Sequence, residues 1–375
     1  MKVLVTGGAG FIGGHLAARL LREGCDVTVL DNFSSKVHGG SKQLPLGLSG
    51  HVRLQIGDVR DQEAFGRALE GQEVVVHLAA ETGTGQSMYE VAQYQEVNIG
   101  GTARLINSLV NNKHSRVRKL VVASSRAVYG EGVHHCRTHG LVYPPARKLE
   151  DMRAGHFELC CPVCGETCEP RPTAEDSPLQ PVSFYALTKQ VQEQMVLMFA
   201  RVLGLSAFAL RYQNVYGPGQ SLRNPYTGIF AIFANQARAG QLINVFEDGL
   251  ESRDFVNIAD AVEATWRCIA AEGPWVGALN VGTGERTTIM EVAREIVRFF
   301  SGGSQVLVSG AFRKGDIRHN FADLTRAREL IGFEPRRRLR EGVREFLDWA
   351  ASQKACTVNY ESSLQEMRDR GLMNG

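Results

Sequence analysis

At 375 residues, with 43% hydrophobic and 22% charged positions, the chain buries a sizeable core and divides into about two domains. Lys and Arg together number 42 against 40 Asp and Glu, so a net charge of +2 sets up no field that would gather a nucleic acid or a membrane surface. No stretch reaches the roughly 18 apolar residues of a spanning helix, and the N-terminus MKVLVTGGAGFIG lacks the features of a secretory signal, so a cytoplasmic setting is expected.

In chain order, short runs rich in β-branched residues at 3–5, 27–30, 52–56, 74–78, 120–123 and 207–210 predict strands. Between them, 15–22, 62–69 and 102–111 carry apolar residues at helical spacing. This alternation predicts an α/β fold, a doubly wound parallel sheet covered on both faces. The Gly/Ser-rich residues 33–49 are expected to form a mobile loop. After about residue 218 the pattern loosens into helical segments at 228–239, 257–270, 289–300 and 336–349, which predict a smaller C-terminal α/β lobe. The expected units are a sheet domain at 1–132 and 172–218, an insert at 133–171, and the second lobe at 219–350. Part of 251–285 is allowed to return to the first domain. The polar tail at 351–375 is expected to fray from residue 355.

The turn Thr6-Gly7-Gly8-Ala9-Gly10-Phe11-Ile12-Gly13 leaves the first strand and opens a helix. Glycines at 7, 10 and 13 meet three physical needs: a tight turn, a backbone close enough to touch pyrophosphate, and close helix–strand packing with the helix N-terminus facing the anion. The second strand ends in Asp31, 24 residues after Gly7, where a carboxylate accepts both ribose hydroxyls. A 2′-phosphate would face that negative charge, so the pattern of a Rossmann fold favours NAD over NADP. Asp58-Val59, after the third strand, is a candidate adenine contact, although an Asp in a turn is more often a cap.

Ser124-Ser125 closes the fifth strand, and Tyr185-Ala186-Leu187-Thr188-Lys189 reads as the start of a helix. A Tyr and a Lys four apart share a helix face, so the ammonium can approach the phenol. A phenol with a pKa of about 10 is a poor base near neutrality, and a neighbouring cation stabilises its phenolate. Tyr185 is therefore the candidate proton shuttle.

With these motifs assembled, the chain resembles the extended short-chain dehydrogenase/reductase family, specifically its nucleotide-sugar epimerases and dehydratases. The resemblance runs from Met1 to about residue 345, broken by the Cys-rich insert. It also includes His77-Leu78-Ala79-Ala80, Asn98 with Gly101-Thr102, Ser125-Arg126-Ala127-Val128-Tyr129-Gly130, RYQNVYGPG from Arg211 to Gly219, Arg253-Asp254-Phe255-Val256 with Asp260, Asn280-Val281-Gly282, and Arg313-Lys314-Gly315-Asp316. It implies a bound NAD held by Gly7, Gly10, Phe11, Ile12, Gly13, Asp31, Asn32, Asp58, Val59, Leu78, Ala79, Ala80, Asn98, Tyr185 and Lys189. It further implies Tyr185 as acid/base, Lys189 on the nicotinamide ribose, and Ser125 on the sugar hydroxyl. A nucleotide-sugar substrate would meet Ser125, Arg126, Asn214, Arg253, Arg313 and Asp316, Arg being suited to phosphate by its planar fork. Residues 224–233 would approach the base. Family dehydratases carry an Asp-Glu pair after the strand-end residue. Here Arg126 and Ala127 stand instead, and neither titrates usefully. What is left is C4 epimerisation through a 4-keto sugar. A 4-keto reductase, a decarboxylase of the same fold and a non-catalytic NAD-binding zinc scaffold are the competing readings. The family resemblance also implies a homodimer formed through helices near 102–111 and 186–202.

Of eight cysteines, Cys136, Cys160, Cys161, Cys164 and Cys168 crowd one stretch with His134, His135 and His139. Sixty residues separate Ser125 from Tyr185, whereas the family interval is about two dozen. Cys136-x-x-His139 and Cys161-x-x-Cys164 form two knuckle-like pairs suited to a closed, tetrahedral structural zinc site. Cys160, Cys168 and His134 are alternative ligands, and an oxidisable loop is the alternative reading. The insert is expected to shape or cover the sugar pocket. An insert of this kind resembles that of the dTDP-L-rhamnose 4-epimerase group, with a UDP-glucose/UDP-galactose-type epimerase as the alternative.

Overall fold

The computed structural model describes residues 1–45, 47–224, 228–300, 303–354 and 360–374. Its centre is a seven-stranded parallel sheet formed by β1 (Lys2–Thr6), β2 (Asp26–Asp31), β3 (Arg53–Ile56), β4 (Val74–His77), β5 (Lys119–Ser125), β6 (Ser206–Tyr212) and β7 (Val276–Val281), in the order β7-β6-β5-β4-β1-β2-β3. The central strands β1, β4, β5 and β6 are largely apolar because helices cover both faces, which leaves no wet side to alternate toward, whereas the edge strand β3 carries Arg53 and Gln55. One face packs Val3, Val5, Val27 and Val29 against α1 (Phe11–Arg22); the other packs Leu4, Val75 and Val122 against α2 (Gln62–Leu69), α3 (Gly101–Asn111) and α4 (Phe184–Leu203). Each such side chain, fully buried, contributes about 1.5–3 kcal/mol.

The second lobe holds α5 (Ile229–Arg238), α7 (Ile289–Phe300) and α8 (Leu339–Ser352) around Phe230, Phe233, Phe255 and Phe346. Helix α6 (Ile258–Ala270), begun by the Asn257 side chain accepting from the Ala259 amide, packs instead on α1, and β7 follows it onto the open edge of β6. The chain thus returns to the first lobe within 251–285. Leu46 and residues 225–227 lie outside the described residues, so the expected mobile loop and the stretch approaching the base are each covered only in part. Ser35–His38 forms one helical turn within that loop. No helix among the described residues is long and apolar enough to cross a membrane.

The tail departs from expectation. Residues 360–369 form α9 (Tyr360–Asp369), and Met373–Asn374 pairs antiparallel with Phe312–Arg313. Tyr360, Leu364 and Met367 recur at helical spacing, and the last two are buried with Phe246, Ala311 and Met373. The segment is folded onto the second lobe because its few apolar residues all fall on one face.

Candidate active site

Two clefts meet at the C-terminal ends of the strands. The first, about 810 Å³ including open solvent, is lined by Gly7, Gly10, Asp31, Asn32, Val59 and the backbone of Leu78–Ala80, among others. Gly7 has φ +68° and lies so close to Ala79 that an added Cβ would come within 2.9 Å of its nitrogen. A Cβ on Gly13 would come within 2.2 Å of the Gly7 carbonyl, so only glycine lets α1 start this near β1. Gly10 caps α1 without a side chain, leaving the first-turn amides of Phe11, Ile12 and Gly13 to an anion. Asp31, buried at the end of β2, accepts the Ala9 amide at Oδ2 and the Phe33 amide at Oδ1, with His38 Nε2 3.5 Å from Oδ1, which leaves Oδ2 a lone pair for a ribose hydroxyl. These features fit a dinucleotide.

Seven expected cofactor residues, Phe11, Ile12, Gly13, Asp58, Asn98, Tyr185 and Lys189, are not among those lining this cleft. Asp58 is held by Arg60 and Asn32. Burial pushes its pKa up, but these hydrogen bonds outweigh that and bring it to about 2, so the neighbouring Gly57 and Val59 face the cleft. Asn98 is fully buried: its amide donates to the Glu81 carbonyl and Thr188 Oγ1, and its Oδ1 accepts the Glu81 amide. It pins the loop that lines the cleft to α4.

Ser183 begins α4 by accepting the Ala186 amide, and the Tyr185 amide, which has no partner inside the helix, donates to Ser87 Oγ at 2.9 Å. This start brings the Tyr185 phenol beside the Ser125 hydroxyl, which itself accepts the Ala127 amide. The electrostatics differ from expectation. Burial raises the Tyr185 pKa, and the opposing effects come from the Ser125 hydrogen bond and the charge of Arg126. Lys189 stands 6.0 Å from the Tyr185 ring centre and donates to the Ala123 carbonyl and Gln192 Oε1. Burial alone lowers its pKa to about 7. Sequence reading did not single out Gln192. It connects Lys189 through Thr102 and the buried, neutral His77 to Thr6, beside the glycine turn.

The second cleft, about 1000 Å³ with open solvent, continues past the loop Gly83–Gly85. Arg126, Asn214, Arg253, Arg313 and Asp316 all line it. Arg253 pairs with Asp316 at 2.9 Å, while Arg313 donates to Tyr360 Oη at 2.6 Å and stacks on Phe246. Burial and nearby Arg253 push the Arg126 pKa down to about 9, still a cation at neutrality. Arg126 Nη1, Arg313 Nε and Asn214 Oδ1 are buried without a partner among the described residues. The two open guanidinium donors suit an anionic ligand such as a diphosphate, whereas the Asn214 oxygen is an open acceptor. Glu251, Phe246, Tyr360, Ser363 and Met367 also line this cleft. The last three belong to the tail expected to fray, and their i, i+3, i+7 spacing is the sequence signal of the helix face they share.

The insert is a small three-stranded sheet of His134–Cys136, Gly140–Val142 and Glu169–Pro170. It brings Cys136, His139, Cys161 and Cys164 together with all four ligand atoms within 4.8 Å of one another. The sulfurs of Cys136 and Cys164 are 3.6 Å apart, and His139 Nδ1 lies 3.7 Å from Cys136 Sγ and 3.6 Å from Cys161 Sγ. A tetrahedral zinc with ordinary bond lengths would set edges of about 3.8 Å between sulfurs and about 3.6 Å from sulfur to nitrogen. The donor set fits that metal. His134, Cys160 and Cys168 stand outside the foursome. Contrary to expectation, no residue of 133–171 is among those lining either cleft. The insert reaches the second cleft indirectly. Arg147 donates to the Asp316 carbonyl at 2.9 Å, and Arg318, with no exposed surface, holds Glu158 together with Glu247 and Asp248.

The sequence profile of the NAD dependent epimerase/dehydratase family matches residues 3–149 and 153–282. A dTDP-L-rhamnose 4-epimerase of Burkholderia thailandensis is 37% identical over 359 residues, covering 94% of this chain and 95% of that protein. Among solved structures, UDP-glucose 4-epimerase of Thermotoga maritima with UDP-glucose superposes with a TM-score of 0.76 at 29% identity, covering 93% of this chain and 98% of that one. UDP-glucose 4-epimerase of Thermus thermophilus in complex with NAD gives 0.74 at 28%, covering 94% and 100%.

Proposed function

Since the chain belongs to the NAD dependent epimerase/dehydratase family, we propose that it inverts C4 of a nucleotide-diphosphate sugar, and that dTDP-L-rhamnose, converted to dTDP-6-deoxy-L-talose, is its substrate. The observation carrying the reading is the placement of Tyr185 beside Ser125 and Arg126, with its amide held by the turn Thr84–Ser87, whose residues line both a cleft suited to a dinucleotide and another lined by arginines. The 37% identity to a dTDP-L-rhamnose 4-epimerase supports the sugar.

In this mechanism Tyr185 Oη takes the proton of the sugar 4-hydroxyl, and Ser125 holds that hydroxyl by hydrogen bonding to the same oxygen. Bound NAD supplies the acceptor, and then the donor, of the C4 hydride. The 4-keto sugar turns over, and Tyr185 returns the proton to the oxygen on the inverted carbon, so no net redox input is needed. Arg126 stabilises negative charge on the phenol oxygen, and its guanidinium, cationic at neutrality, cannot act as the acid or base of a dehydration. Asp31 and the first turn of α1 hold the dinucleotide, while Arg253 and Arg313 would hold the diphosphate. Purified protein with no added cofactor should interconvert C4 epimers, read by NMR across UDP-, dTDP- and GDP-sugars. Tyr185→Phe should retain NAD but lose about 10²–10⁴-fold in kcat; full activity in that variant would remove the proposed base.

We further propose that Cys136, His139, Cys161 and Cys164 hold one structural zinc, and that the protein is a homodimer built on α3 and α4.

A further inference from the structure

Resting on the reading above, we infer that α9 forms the specificity wall of the sugar pocket, and that the Met367 thioether selects a sugar with a methyl group, not a hydroxymethyl group, at C5. The segment is fixed to the site at three points. Met373 pairs with Arg313, the Leu372 carbonyl accepts the Lys314 amide at 2.9 Å, and Tyr89 Oη donates to Glu366 at 3.2 Å. Met367 lines the second cleft together with Gly83, Thr84, Gly85 and Arg126. Its sulfur is in close contact with Gly85, where an added Cβ would come within 3.0 Å of Sδ. Gly85 belongs to the turn Thr84–Ser87, whose Ser87 Oγ accepts the Tyr185 amide. The thioether therefore stands on the turn that positions the reacting phenol, at the sugar end of the cleft.

The chemistry of this wall is apolar. Met367 is backed by Phe246, Leu364 and Met373. The two hydroxyl side chains of α9 that line the cleft are tied into the protein: Tyr360 Oη, two turns or about 10 Å along α9 from Met367, accepts from Arg313, and Ser363 Oγ directs its O–H at the Tyr360 carbonyl, 2.7 Å away. A C6 hydroxyl pressed against the thioether would exchange its water for at best a weak acceptor, whereas a C6 methyl gains contact with a polarisable, adaptable side chain. An apolar wall of this kind rejects an added hydroxyl by about 10²-fold.

The test compares dTDP-L-rhamnose with dTDP-L-mannose, which differ only in the C6 hydroxyl. The wild-type protein should favour the first by about 10²-fold in kcat/KM. Met367→Gln, which keeps the volume and offers a hydrogen-bonding group, and Met367→Ala, which opens room for a water, should each cut that ratio at least about tenfold, mainly through the hydroxylated sugar. Where a variant turns over too slowly to rank, the same ratio is read from equilibrium titration of the two nucleotide sugars. An unchanged ratio in both variants, or a wild-type protein that turns over both sugars equally, overturns the inference while leaving the epimerase reading intact. A wild-type protein inactive on every nucleotide sugar overturns the epimerase reading itself.

Discussion

At Tyr185, burial lifts the phenol above its ordinary range while the Ser125 hydroxyl and the Arg126 charge pull it back. The Tyr-x-x-x-Lys spacing leaves Lys189 6.0 Å from the Tyr185 ring centre, but the charge acting on the phenol is that of Arg126, because the Lys189 amine is turned to Ala123 and Gln192, partners no local pattern reveals. Glu251 is a second buried acid in the substrate cleft. Burial first, then Asp316 and Glu247, raise its pKa to about 8 against the opposing pull of Arg253 and Arg313. Below about pH 8 the neutral carboxyl can donate a hydrogen bond into the cleft; above it, a carboxylate would face the incoming diphosphate. The KM for the nucleotide sugar should therefore rise as pH passes about 8, by up to about tenfold per unit, and Glu251→Gln should flatten the profile. An identical slope in that variant would discard Glu251 as the titrating group.

Among the elements, the insert and the tail exchange their expected roles. Paired x-x spacings identified the insert's four clustered side chains, since knuckle geometry is local. Its distance from the clefts was not legible, because that is set by Arg147 and Arg318, whose side chains find partners up to 169 residues away in the chain. If a metal holds the knuckles, purified protein should carry about one zinc per chain. Cys164→Ser should lower that content below about half and reduce thermal stability. The KM for nucleotide sugar should also rise, because Arg147, on Asp316 itself, and Glu158, on Arg318, brace the turn that carries Asp316. Metal-free protein with unchanged melting would contradict the structural role. The tail was misjudged for the opposite reason: its composition is polar overall, and the three residues that bury it are visible only as a helical stripe.

Across the whole molecule, periodicity and glycine spacing were sufficient for the parallel sheet through β6, while β7, in a stretch of small residues beyond the apparent end of the first lobe, was legible only as a possible return. Helices α3 and α4 leave Val110, Leu187, Met198 and Val202 exposed on the sheet domain. If a second copy covers them, sedimentation should give the mass of two chains at micromolar concentration, and Met198→Glu should shift it toward one. A monomeric wild-type protein would reject the dimer. The two lobes are interleaved, since α6 and β7 come after second-lobe residues, yet the insert leaves and rejoins the fold at one spot, where the Arg171 amide donates to the Val133 carbonyl at 3.0 Å. To the parent scaffold that excursion is a short loop, so it is modular in a way the lobes are not: evolution, or an engineer, can graft or excise it without shifting the register of any main-sheet strand. The mark of excision would be Arg318, stripped of Glu158 but still clasped by Glu247 and Asp248.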